Sequence, residues 1–183
     1  MIEPGKGILL IAEPFLKDPN FMRTVVLLCE HKHDGSFGFV INKLFEHTLD
    51  ELMNDMDDLK LPVFYGGPVQ QDTIHFLHGY ADRIPGSFEV LEGVYWGGDF
   101  ETAIELIKSG EISLDGIRFY IGYSGWSDGQ LDEEVQEKSW LLASATRDIV
   151  FEPKADQIWK ESLKLLGGEY EIMANYPIDP QLN

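Results

Sequence analysis

The sequence predicts an α+β domain with a mainly antiparallel or mixed sheet. Three observations point there. Hairpin-like pairs of apolar segments fill the first third of the chain. Amphipathic helical stretches come singly between later strands, and a strict β-α-β alternation is missing. At 183 residues and 44% hydrophobic composition, one domain spanning 1–183 can bury a sizeable core without a disulfide or metal.

Taken in order, Gly7 to Ala12 is a short apolar run closed by Glu13-Pro14, as expected of a buried strand. Asp18-Pro19-Asn20 is turn chemistry. Thr24 to Glu30 is apolar without alternation, the pattern of a strand covered on both faces. His33 to Ser36 reverses the chain, and Phe37 to Asn42 returns as the second arm of a hairpin. Thr48 and Glu51 fit a capping box, and Leu49, Leu52, Met53 and Met56 form one helical stripe behind it. Pro62 to Tyr65, Thr73 to Leu77 and Ser87 to Tyr95 are expected strands. Asp99 caps a helix whose Phe100, Ala103, Ile104 and Ile107 share a face before Gly110 ends it. Ile117 to Tyr123 is a strand, Leu131 to Lys138 a short helix, and Trp140 to Ala145 a strand. Lys154 to Leu166 is the last helix, opened by Pro153 and closed by Gly167.

Charge narrows the partners. The chain carries 32 acids against 14 bases, a formal net charge of −18, and Glu46 to Asp58 holds six acids and no base. Nucleic acids and anionic membranes are neutralised by Lys and Arg, so direct binding to either is not expected. Cys29 is the single cysteine, ruling out an internal disulfide and any cysteine-rich zinc site. Its apolar neighbours mark it as a small buried hydrophobe. Met1-Ile2-Glu3-Pro4 shows no leader pattern and no apolar run is long enough to span a bilayer, so the expected location is cytoplasmic.

Few residues announce chemistry. Tyr123-Ser124-Gly125-Trp126, continuing to Gly129-Gln130, sets two aromatics among glycines and polar groups. Glycine admits close approach, and Tyr and Trp offer flat apolar area with a polar tip, so the stretch suits either a tight strand-to-helix turn with its aromatics tucked into the core or the lip of a groove. Ser124 invites comparison with a nucleophile elbow, but Trp126 stands where that turn needs glycine. Glu30-His31-Lys32-His33 could offer imidazoles to a metal, yet reads better as a polar hairpin end; no metal or other cofactor is expected. His75 and His78, three apart on a strand, face opposite sides. Gly66-Gly67-Pro68 is glycine-rich without a phosphate-loop ending.

Together these stretches resemble the YqgE/AlgH family. The match runs through Gly7 to Ala12, Asp18 to Phe21, Thr24 to His31, Gly35, Gly38 and Asn42. It continues through Gly66 to Val69, His78, Gly122 to Trp126 and Gly129 to Leu131. The resemblance implies a strongly bent, bifurcated sheet forming a pseudo-barrel with helices packed outside. It brings no catalytic residue, cofactor or activity; some members are labelled transcriptional regulators. The expected function is a non-catalytic binding or interaction module for a small molecule or protein. Its groove would collect Glu30, His31, Asn42, Gly66, Gly67, Pro68, Tyr123, Ser124, Gly125, Trp126, Gly129 and Gln130. The alternatives are a small hydrolase using Ser124 and a transcriptional regulator, the latter disfavoured by charge.

Overall fold

The apolar runs become strands that are covered on both faces. The structure, a computed structural model, describes residues 2–56 and 58–177. Strands β1 (Ile8–Ala12), β2 (Val25–Lys32) and β3 (Gly35–Val40) form an antiparallel meander, with Leu9 opposite Leu27 and Val26 opposite Val40. Residues on one face of these strands, among them Leu9, Ile11, Leu27 and Phe39, pack against Ile158, Trp159 and Leu163 of the late helix 155–166. Their neighbours Leu10, Val26, Leu28 and Val40 face a second cluster with Trp126, Leu131 and Trp140. Two cores, one per face, explain why β1 and β2 do not alternate.

β4 (Leu44–Thr48) and β5 (Pro62–Tyr65) pair with each other, and β6 (Val69–His78) is longer than the 73–77 the sequence suggested. The expected strand 87–95 is instead a hairpin, β7 (Phe88–Leu91) and β8 (Val94–Trp96), reversed where Gly93 takes φ +83°. Helix α2 (Phe100–Lys108) begins where the Asp99 carboxylate accepts from Glu101 N–H at 3.2 Å. Its Ala103, Ile104 and Leu106 cover a third cluster with Val63, Phe76 and Phe119.

β9 (Ile117–Ser127) divides the sheet. Its first half runs parallel to β5, with Phe119 opposite Val63 and Ile121 opposite Tyr65. Its second half leaves β5 and pairs antiparallel with β3, Ser124 opposite Gly38 and Ser127 opposite Gly35. β6 follows β9 along the other side. With β10 (Trp140–Ser144) beyond β1, the main path is β10-β1-β2-β3-β9-β6-β8-β7, and the ten strands curl into a half-barrel. No described helix is long and apolar enough to cross a membrane.

The helices carry two corrections. α1 is one turn, Leu49–Leu52, and not a stripe reaching Met56. The Thr48 hydroxyl bonds the Asp50 and Glu51 carboxylates and caps no N–H, and Asp55 adopts φ +62°. Repulsion among closely spaced acids and the poor helix propensity of Asn and Asp stop it. Leu52 at the end of α1, and Met53 and Met56 beyond it, still pack on the third cluster, the two methionines from outside the helix. α3 (Gln130–Gln136) and α5 (Ala155–Leu166) agree closely with the sequence, whereas the short α4 (Arg147–Val150) and α6 (Glu169–Met173) gave no separate signal.

Candidate functional site

Alternation along β9 sorts the most unusual stretch of the sequence onto two faces. Residues 123–127 are strand, and the turn waits until Asp128-Gly129. Ser124 and Trp126 point to the buried face, Tyr123 and Gly125 to the open one. Trp126 is 5% exposed, its ring stacked on Phe21 and edge-on to Trp140. Ser124 is fully buried and its hydroxyl donates to the Gly66 carbonyl at 3.1 Å. Among the described residues its partner is thus a backbone oxygen and not an imidazole. This serine offers solvent no nucleophile.

The twin glycines lie where the sheet divides. Gly66 N–H donates to Ile121 O, and Gly66 O also accepts from Val40 N–H, both at 2.8 Å. A Cβ on Gly66 would stand 2.3 Å from Gly122 O, and one on Gly67 2.2 Å from Tyr123 C. Gly122 itself has φ +69°. These glycines let three backbone segments cross at closer range than any side chain permits.

On the open face of β9 lies a groove of about 620 Å³. Phe37 of β3, Tyr123 of β9, His75 of β6 and Trp96 of β8 supply its rings. Phe37 meets Trp96 at 4.9 Å and Tyr123 at 6.0 Å between centroids, and His75 stands edge-on to Tyr123 at 6.0 Å. Glu30 and Asp34 bring carboxylates from the β2–β3 hairpin, Glu30 paired with Lys32 at 2.6 Å. Burial pushes the His75 imidazole below its ordinary value, and its Nε2 lies 3.1 Å from the Thr73 hydroxyl. His75 and Trp96 also border an adjoining recess of about 560 Å³ that extends to Met53, Phe88 and Phe100.

Of the residues expected at one groove, Glu30, Tyr123, Gly125 and Trp126 border it, Trp126 with its ring turned away. His31 bonds Ser36 across the hairpin at 2.5 Å and, with Gly129, lines a separate shallow recess of about 160 Å³. The Gln130 carbonyl accepts from Ser127 N–H at 3.0 Å, closing the turn before α3. Pro68 is exposed at the start of β6. Asn42 lies elsewhere, accepting from Val25 N–H and donating to Arg23 O, each at 2.9 Å. Phe37, His75, Trp96 and Asp34 also line the groove and are not singled out for it by sequence. The available signal was alternation: His75 lies between Ile74 and Phe76, on the face opposite His78.

His78 is fully buried and fully engaged. Its Nε2 bonds Gly97 O at 2.8 Å while Nδ1 accepts from Tyr80 N–H at 3.0 Å, which fixes the neutral tautomer. Burial lowers its pKa, partly opposed by the Gly97 bond. Among the described residues no three His, Cys, Asp or Glu are grouped to hold a metal ion. Cys29 is buried, which raises its thiol pKa far above the range of a reactive thiolate.

The chain matches the family described as AlgH-like over residues 9–171. It is 45% identical to a UPF0301 protein of Chlorobium limicola over 182 residues, covering 100% of this chain and 96% of the relative. A UPF0301 protein of Cytophaga hutchinsonii is 42% identical, with 97% and 98% covered. The solution structure of the AlgH protein from Pseudomonas aeruginosa superimposes with a TM-score of 0.74 at 26% identity, covering 97% of this chain and 98% of that one. A crystal structure from Corynebacterium diphtheriae gives 0.81 at 20% identity over 96% and 94%, which is a likeness of fold.

Proposed function

Because this chain belongs to the AlgH-like family, which has no established activity, we propose that it is a non-catalytic cytoplasmic binding module acting through the groove of Phe37, His75, Trp96 and Tyr123. One observation carries the reading: four partly exposed rings from four strands gather around a 620 Å³ recess, Phe37, Trp96 and Tyr123 packing on the first buried cluster while still lining the opening. Large aromatic area left open to water is costly unless something covers it. Rings beside the Glu30 and Asp34 carboxylates suit a ligand with a flat or cationic group, drawn in by the chain's negative field. Any effect on transcription would then be indirect, through the partner held.

The test is native mass spectrometry of gently purified protein. The wild-type chain should retain a bound species that Tyr123→Ala and Trp96→Ala lose while remaining folded by circular dichroism. A species retained equally by both variants, or none retained by the wild type, overturns the reading. Generic ester hydrolysis, if any is seen, should be unchanged in Ser124→Ala; its loss would restore the hydrolase.

A further inference from the structure

The positive charge of this acidic chain is unevenly placed. Of its 14 basic residues, Arg23, Lys43, Lys154 and Lys160 surround a single recess of about 710 Å³, with Asp156 as the carboxylate among them. None of these four bases is ion-paired with a carboxylate among the described residues. In a molecule with 32 acids, this arrangement runs against simple charge mixing, and such local conflicts mark functional sites.

The main chain that carries Arg23 and Lys43 is held in place by hydrogen bonds. Asn42 fixes both sides, its Nδ2 donating to Arg23 O and its Oδ1 accepting from Val25 N–H. Tyr65 N–H donates to Lys43 O at 2.7 Å, anchoring the adjacent residue. The Arg23 guanidinium lies 4.6 Å over the Trp159 ring and donates to Tyr176 O at 2.5 Å, leaving other N–H groups of its fork for a ligand. Lys43 is half-buried, and its pKa is lowered first by that burial and then by Arg23. Lys154 occupies the N-cap of α5, where its N–H donates to the Glu152 carboxylate at 3.2 Å and Asp156 lies in the first turn.

We propose that this recess is a binding site for a small molecule carrying a phosphoryl dianion, separate from the aromatic groove. Among the described residues the lining sets four cations against the one carboxylate of Asp156, an excess of positive charge that suits a dianion better than a neutral ligand. Guanidinium and ammonium groups lining one recess are the side chains that bind phosphoryl oxygens.

Amide chemical-shift mapping with inorganic pyrophosphate and inorganic phosphate, at ionic strength held constant with sodium chloride, tests it. Saturable shifts should centre on residues 23, 42–44 and 154–160. Lys43→Gln should weaken binding about tenfold, whereas the exposed Lys6→Gln leaves it unchanged. Response to pyrophosphate alone points to a diphosphate ligand, and response to both to a single phosphoryl group; either supports the site. Shifts absent up to about 10 mM, weaker than any ordinary small-ligand site, overturn it. So do shifts centred on Tyr123 and Trp96, or affinity indifferent to Lys43→Gln. The groove reading survives or fails separately, because its variants leave these cations untouched.

Discussion

Gly122 and Gly110 share almost the same backbone conformation, φ +69° and +73°, yet they do different things. A Cβ at Gly110 meets nothing within 4 Å, whereas one at Gly122 lies 2.5 Å from Gly67 O and 3.0 Å from Val69 O. Alanine at either site bears the strain of positive φ, about 1 kcal/mol. At Gly122 it must also push backbone from backbone where β9 changes partners, adding about 1–3 kcal/mol. Urea unfolding of Gly122→Ala and Gly110→Ala should therefore differ by at least about 1 kcal/mol, with Gly122→Ala the less stable. Equal losses would mean that the crossing has room to relax. The pair isolates close approach from conformational strain, which the motif 122–126 alone could not do. In sequence both residues are simply glycines near the end of an element.

Alternation decides what each aromatic of β9 contributes. Trp126 was expected at the groove with Tyr123, but an odd spacing along a strand puts them on opposite faces. Trp126→Ala should cost about 3–5 kcal/mol, as for other buried aromatic truncations, and drop the thermal midpoint sharply. Tyr123→Ala, on the open face, should cost less than about 1.5 kcal/mol. Comparable midpoints for the two variants would contradict the assigned facing. The same element shows what the sequence could reveal. β1, β2 and the hairpin to β3 were readable because doubly covered strands must be apolar throughout, and α2 and α5 because a helix must present one greasy stripe. The hairpin within 87–95 was hidden, since Glu92-Gly93 reverses the chain in two residues between short arms. The four-residue α1 was overdrawn, because methionines at helical spacing can equally pack from outside a helix. The groove itself was legible only in its β9 and β2 edges. Phe37, His75 and Trp96 reach it through strand pairings set by the branching of β9, which no local pattern encodes.

At the scale of the whole molecule, two ranges of electrostatics act in opposite senses. A net charge of −18 repels other polyanions over the Debye length, about 30 Å at 0.01 M salt and 8 Å at 0.15 M. Within contact distance of the recess, Arg23, Lys43, Lys154 and Lys160 present the reverse sign. Duplex DNA must bring many phosphates near the acidic surface to place a few at the recess, so its net interaction is unfavourable. A small dianion brings only its own charge and can profit from the cations directly. Gel mobility of duplex DNA should therefore be unaffected by the protein at about 10 mM salt, where nucleic-acid contacts are strongest, while pyrophosphate still titrates the recess. A DNA shift at low salt that fades as salt rises would show that the local cations dominate the global field, and would return direct regulation to consideration. Raising salt also separates the two ranges. Screening removes the long-range repulsion first and the short-range contacts last, so pyrophosphate affinity should fall less steeply with added salt than its charge alone implies.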